Sequence, residues 1–419
     1  MSTMNKFMIS NWCGIPRKFV RHADGTLAVD RIREALDVGI NLLAAYDYGY
    51  ETNCEFLAAC EKLGMRVTLS DERIDRAIHD AENRRALLTD VVRDYASYPA
   101  LLGYHIFDEP NSGAFNTLGE IRAILSELDP AHESYFNLFP NYASLEMLGN
   151  PTYYDHLAQF IEVVKPGILS YDHYHFIKGN EQDRPDIEDE REQQIYAAAF
   201  QSVSRPGFFD NIEDALAISR KTDTPFMIII LVVEHGPYRN PTEAEIRWEV
   251  YNSLCYGIKR LSYFTYWTPG VDTDEGDAFW HWQNGMINKD GTRNAHYDEI
   301  AGINRELQAI GNILLPYAVR DVFHFGAEPD TKVRYWPGSF GDVTAMAADL
   351  ATVAFYDGGY VLLANKNYTA ATTVTFSVKE GARVRVYDKT SGVWQTATAE
   401  TDGYTVTLAA GDGMLICID

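Results

Sequence analysis

Eight short apolar, β-rich runs, separated by longer amphipathic stretches, occupy the first ~315 residues of the chain and restrict the fold more than any other feature. The runs are 6–14, 40–47, 65–71, 101–109, 134–141, 168–176, 226–236 and 260–269. Helical patterns lie between them, among them "AVDRIREALDVG", "NRRALLTDVVRDYA" and "YDHLAQFIEVVK", and a last one at 295–314 follows the eighth run. Several end at glycine, as a helix C-terminus does. A strict βα alternation repeated eight times predicts an α/β chain closed into a (β/α)8 TIM barrel rather than an open doubly wound sheet. No GxGxxG follows the first strand, which weighs against a dinucleotide fold.

The pattern changes near residue 320. From there, short alternating runs with Gly, Asp and Asn turns predict a small C-terminal antiparallel β-sandwich. The expected domains are 1–317, the barrel, and 318–419, the sandwich. Trp336, Tyr356, Tyr360 and Trp394 alternate within those strands, which suits a core better than a binding face.

A net charge of −24 leaves no basic face for nucleic acid or an anionic membrane. No apolar run is long enough to span a bilayer. "MSTMNKF" has no signal-type apolar segment, so the expected setting is the cytoplasm or, for a trimmed exported enzyme, the periplasm or exterior. Five scattered cysteines form neither a zinc pattern nor a disulfide framework.

In a barrel, chemistry sits at the C-terminal strand ends. Here those ends carry Asp47 and Tyr48 on strand 2, Asp71 and Glu72 on strand 3, Asp108 and Glu109 on strand 4, and Asn137 on strand 5. Strand 6 ends in Tyr171, Asp172, His173, Tyr174 and His175, strand 7 in Glu234, and strand 8 in Tyr266 and Trp267. Glu109 closes "LLGYHIFDEP", and Glu234 follows eight apolar residues, "FMIIILVV". Strands 4 and 7 place their ends on opposite sides of the mouth. Two carboxylates facing across a pocket suit glycosidic cleavage: one protonates the leaving oxygen, the other attacks or activates water. Sugar rings pack their C–H faces on aromatic rings, which Tyr48, Tyr174, Trp267, Trp280 and Trp282 offer. Long connections at 177–207 and 268–291 lie on the same face, and the acidic run at 177–191 reads as a solvated loop.

These residues give the chain a resemblance to the clan-A retaining glycoside hydrolases, and the tail "NKDGTRNAHYDEIAGINRELQAIG" is distantly similar to the barrel end of family-42-like β-galactosidases. The resemblance covers residues 6–315. It implies Glu109-Pro110 as acid/base, Glu234 as nucleophile, Tyr171 or Tyr174 as the strand-6 aromatic beside the nucleophile, and Trp267 as the strand-8 tryptophan. Asp108 stands where the clan commonly carries Asn. An ionised Asp only accepts hydrogen bonds, whereas Asn also donates, so the contact to the sugar 2-hydroxyl differs.

The expected activity is a retaining O-glycosyl hydrolase acting on an oligo- or polysaccharide. Its catalytic residues are Glu109 and Glu234, its sugar contacts Asp47, Asp108, Asn137, Tyr171, Asp172, His173, Tyr174, Trp267, Trp280 and Trp282, and it calls for no cofactor or metal. Two other readings compete. A metal-dependent sugar isomerase or epimerase would draw ligands from Glu109, Glu234, Asp172 and His173 or His175. A carbohydrate-binding barrel would bind glycans and cleave none. Sugar identity, exo or endo action and oligomeric state are not written in the sequence.

Overall fold

The structure, a computed structural model, describes residues 6–178, 204–272, 280–327, 329–400 and 403–419. Much of the acidic run at 177–191 and part of the connection after strand 8 lie outside the described residues.

Eight parallel strands form the first sheet: β1 (Met8–Asn11), β2 (Leu42–Ala45), β3 (Arg66–Leu69), β4 (Leu101–Asp108), β5 (Glu133–Asn137), β6 (Leu169–Asp172), β7 (Phe226–Leu231) and β8 (Arg260–Phe264). Their order is β5-β4-β3-β2-β1-β8-β7-β6, and a bridge between Leu138 and Tyr171 closes the ring. The strands are shorter than the apolar runs in the sequence. The surplus residues leave the ladder at the C-terminal ends and form the mouth.

The outer ring holds α1 (Val29–Asp37), α2 (Tyr50–Leu63), α3 (Glu72–His79), α4 (Arg84–Tyr95), α5 (Phe115–Leu128), α6 (Leu145–Leu148), α7 (Tyr153–Val164), α8 (Phe208–Thr222), α9 (Glu243–Cys255) and α10 (Ala295–Leu314). The pattern "NRRALLTDVVRDYA" predicts one helix between strands 3 and 4. The structure has two, because Asp71 caps α3 by accepting from the Arg73 N–H and the segment from Asp80 to Asn83 breaks the run before α4. At α9 the cap is reciprocal: Thr242 accepts from the Glu245 N–H at 3.4 Å, and the Glu245 carboxylate accepts from the Thr242 N–H at 2.8 Å. All six residues of β7 are buried, as expected of a strand covered on both faces.

Strand β4 carries a register shift between His105 and Phe107 against β5. His105 opposes Tyr135, but beyond the shift Asp108 opposes Asn137. One residue out of step turns Asp108 to the face that Asn137 occupies.

Two antiparallel sheets follow. Their strands run from β9 (Val319–Phe325) through β10 (Val343–Ala348), β11 (Ala351–Tyr356), β12 (Tyr360–Asn365), β13 (Thr372–Val378), β14 (Val384–Asp388), β15 (Val393–Thr396) and β16 (Tyr404–Leu408) to β17 (Gly413–Ile418). One sheet has six strands in the order β15-β14-β17-β12-β11-β9, the other three in the order β10-β13-β16. Alternate residues such as Val353, Phe355, Val361, Leu363, Val374 and Phe376 meet in a core of their own. This is the β-sandwich expected at the C-terminus. Its larger sheet docks on α9: the Trp248 indole N–H donates to the Lys366 carbonyl at 3.0 Å, and Thr352 Oγ1 donates to Asn252 Oδ1 at 2.6 Å.

Candidate active site

The site is assembled from the ends of β4 to β8. Asn137, at the end of β5, organises the acids. Its amide nitrogen donates to Asp108 at 3.1 Å and to Asp172 at 2.9 Å, and its Oδ1 accepts from Ser170 Oγ at 3.1 Å. Ser170 Oγ lies 3.0 Å from the Tyr135 hydroxyl. Every polar atom of the Asn137 amide is therefore used, which fixes its orientation.

Glu109 joins this cluster from a left-handed backbone, φ 48°, with its N–H donating to the Asn137 carbonyl at 2.8 Å. A non-glycine residue in that region is strained, and here the strain turns the side chain after the strand has ended. The Glu109 carboxyl hydrogen-bonds Asp172. Burial, then the charges of Asp172 and Asp108, push Glu109 well above the ordinary glutamate range. Asp172 is raised by burial and by Asp108, against hydrogen bonds from Asn137 and Glu109. Asp108 is raised to about 6 by its setting, with the Asn137 bond opposing. It is crowded by protein in a concave mouth yet remains open to water. The acids that hold the proton on Glu109 are its own neighbours, not Glu234 as a facing pair would suggest.

Glu234, just beyond β7, has a different environment. The Lys178 ammonium ion-pairs with Oε1 at 3.0 Å, and the Asn284 amide donates to Oε2 at 3.0 Å. The backbone of Glu234 forms an antiparallel bridge with Gln283, and the Gly236 N–H donates to the Trp280 carbonyl at 2.7 Å. The segment after β8 is thereby tied to the end of β7.

Tyr174 is close to the Glu109 cluster and packs against the residue that follows Glu234. Its hydroxyl is pushed up by burial and by Asp172, Tyr142, Glu109 and Asp108. Its ring stacks on Phe264 at 5.0 Å and meets His235, the residue after Glu234, edge-on at 6.0 Å. His235 stacks on Trp282 at 4.3 Å, and Trp280 lies 6.0 Å from Trp282. Trp280 and Trp282 are part-exposed, so this wall can meet a ligand.

Four candidates from the sequence are not brought to this cluster. Tyr171 and His173 alternate with Asp172 and point outward. Tyr171 is buried near Tyr153 of α7 and Asp214 of α8, and His173 Nδ1 lies 3.1 Å from Asn211 of α8. Trp267 is buried against Phe19 at 4.8 Å, under the Arg31 guanidinium. Phe264 takes the aromatic place in the mouth. Asp47 is a structural clamp: its carboxylate accepts from the Gly49 N–H at 2.8 Å, Asn53 Nδ2 at 3.2 Å and the Glu72 N–H at 2.9 Å, joining the turns after β2 and β3.

The sequence reading missed Lys178, Asn284, Phe264, Tyr142 and Tyr238. Lys178 opens the acidic run that reads as solvated loop, which hid it. Tyr142 and Tyr238 flank Tyr174, and the Arg205 guanidinium sits 3.9 Å above the Tyr142 ring. Among the described residues no group of three His, Cys, Asp or Glu is arranged to hold a metal ion.

No family model matches the chain, and neither does any curated protein. Solved structures share its fold. A glycoside hydrolase family 5 structure from Bacteroides vulgatus is 11% identical with a TM-score of 0.60, over 99% of this chain and 89% of that one. A family-42 β-galactosidase from G. stearothermophilus is 8% identical with a TM-score of 0.60, over 99% and 98%. The chain spans 61% of the β-galactosidase of Marinomonas ef1, at 12% identity and a TM-score of 0.47 over 74% of this chain. Such identities establish the fold alone: a (β/α)8 barrel followed by antiparallel sheets, shared with these glycoside hydrolase structures.

Proposed function

We propose that the chain is a glycoside hydrolase working by retention, with Glu109 as acid/base and Glu234 as nucleophile. The observation that carries this reading is the contrast between the two carboxyls. Glu109 is half-buried beside two other acids and holds its proton, while Glu234 is ion-paired with Lys178. Double displacement needs one protonated and one ionised carboxyl, and pairs in opposed environments reveal such roles.

In the first step Glu109 gives its proton to the leaving oxygen as Glu234 attacks the anomeric carbon. The C–O bond breaks and a glycosyl-enzyme forms on Glu234. Glu109 is then an anion beside Asp172 and Asp108. That repulsion makes it a strong base: it takes a proton from water as the water oxygen bonds the anomeric carbon, the ester bond to Glu234 breaks, and Glu109 is again protonated and Glu234 again a carboxylate. The Lys178 ammonium and the Asn284 amide hold the Glu234 carboxylate in one orientation. Tyr174, Trp280 and Trp282 supply ring faces for the carbohydrate.

The test is a screen of aryl glycosides in both anomeric configurations, followed by variants on the sugar that turns over. Glu109→Gln lowers kcat about 10²–10⁴-fold. Glu234→Gly is inactive, and azide restores turnover with inverted product by NMR. Near-normal rates in both variants would refute the assignment, whereas a carbohydrate-binding barrel would show glycan binding with no cleavage in the parent protein.

A further inference from the structure

A (β/α)8 barrel normally fills its interior with layers of bulky branched side chains. This one does not. Ser10, Ala44, Thr68 and Ser70 stand where such residues belong, and they surround a cavity of about 210 Å³. That exceeds the ~150 Å³ of a core cavity known to take up benzene.

The cavity wall has the chemistry of a sugar site. His105 meets the Trp12 ring edge-on at 5.3 Å and lies 5.8 Å from Tyr135, which gives an aromatic side. Three buried polar atoms on the lining residues have no partner: Asn11 Nδ2, His105 Nε2 and Arg260 Nε. The Asn11 amide is oriented, because its Oδ1 accepts from the Ala44 N–H at 3.1 Å. Buried polar atoms left without a partner cost free energy, and a ligand hydroxyl can satisfy them.

The floor is shut. Arg260, at the start of β8, forms two bonds to Glu133, at 2.5 and 2.8 Å, so the cation in the lining is already neutralised. The upper rim reaches Cys13, and Tyr135 in the lining is joined through Ser170 Oγ, at 3.0 Å, and Asn137 to Asp108 and Asp172. The hollow therefore adjoins the carboxylate cluster, with no unpaired cation among its described lining residues.

We infer that this interior cavity binds one neutral six-membered sugar ring, the terminal ring of the substrate, inserted beside the carboxylates from the mouth. A pocket closed at its floor admits a chain end and not a chain passing through, so the cleavage is exo. That the ligand is a sugar rests on the glycosidase reading. Its size, neutrality and hydroxyl character follow from the cavity.

Calorimetry with free monosaccharides tests this without turnover. Titrating the full chain with glucose, galactose, mannose, xylose and fucose, and with glucuronic and galacturonic acids, should give saturable binding of at least one neutral sugar and none of either acid. Ala44→Leu, which puts a side chain into the hollow, weakens that binding about tenfold or more, a change calorimetry resolves. His105→Phe keeps the ring, removes the nitrogens and weakens it as well, so the inference stays testable if Ala44→Leu fails to fold. Saturable binding of no neutral sugar overturns the inference, as does binding indifferent to both variants, or preferred binding of a uronic acid. If binding behaves as expected while Glu109→Gln keeps its rate on every glycoside, the hydrolase reading falls and the pocket stands. If Glu109→Gln abolishes hydrolysis and no monosaccharide binds, the pocket falls alone.

Discussion

Asp172 is the residue whose charge most directly sets the behaviour of Glu109. It is buried, hydrogen-bonded to Glu109, and held by Asn137 at 2.9 Å. Its charge raises Glu109, and a raised acid keeps its proton to higher pH. In the proposed mechanism activity requires Glu109 protonated, so the basic limb of the kcat/KM profile reports its loss of that proton. Asp172→Asn keeps the shape and an oxygen for Asn137 but removes the charge. With less repulsion Glu109 ionises earlier, so the basic limb moves to lower pH, by about one unit for a neighbouring charge. A limb that stays in place would separate Asp172 from the acid. The presence of Glu109, Asp108, Asn137 and Asp172 at strand ends was legible in the sequence. Which strand-6 tyrosine enters the mouth was not. Strict alternation runs through Asp172 and sends Tyr171 outward, but the chain then leaves the ladder, and beyond it period two no longer says where Tyr174 points. The shift in β4 hides the orientation of Asp108 for the same reason. Trp267 illustrates a converse limit: a tryptophan at a strand end can serve packing as readily as binding.

Strand and helix positions were legible because the apolar period changes sharply between them, while the elements' ends depend on local hydrogen bonds that composition does not display. Asp47 belongs to those ends. An acid at the tip of β2 reads as a sugar ligand, yet its two oxygens already take three donors from the following turn, from α2 and from the start of α3. Asp47→Ala leaves the Gly49 and Glu72 amides and the Asn53 side chain without their acceptor. Asn53 is fully buried, so water cannot simply replace the bond. Losing such acceptors costs about 1–3 kcal/mol. The expected outcome is a lower urea midpoint with kcat retained in the folded enzyme. A collapse of kcat at unchanged stability would instead return Asp47 to the substrate site.

The barrel and the sandwich share buried polar contacts as well as apolar ones, and this bears on whether the molecule unfolds as one unit. Trp248, Asn252 and Leu254 of α9 each bond a residue of the sandwich: the Lys366 carbonyl, Thr352 and the Tyr356 hydroxyl. The Tyr251 hydroxyl and Asp412 both accept from Lys389, and Arg247 pairs with Glu306 of α10 and with Asp412, so charges on both sides are interlocked. Asn252 and Thr352 are fully buried, which makes their bond a sensitive probe. Thr352→Val keeps the volume and the β-branched shape that β11 favours, but it leaves Asn252 Oδ1 buried with no donor. The resulting cost is about 1–3 kcal/mol, because the penalty is that of an unsatisfied acceptor rather than of one lost bond. If the interface couples the two parts, this substitution in the sandwich lowers the temperature at which the barrel loses activity, and calorimetry and the activity assay shift together. A melt with two transitions, in which Thr352→Val moves one and leaves thermal inactivation where it was, would show that the sandwich folds on its own account and lends the barrel no stability.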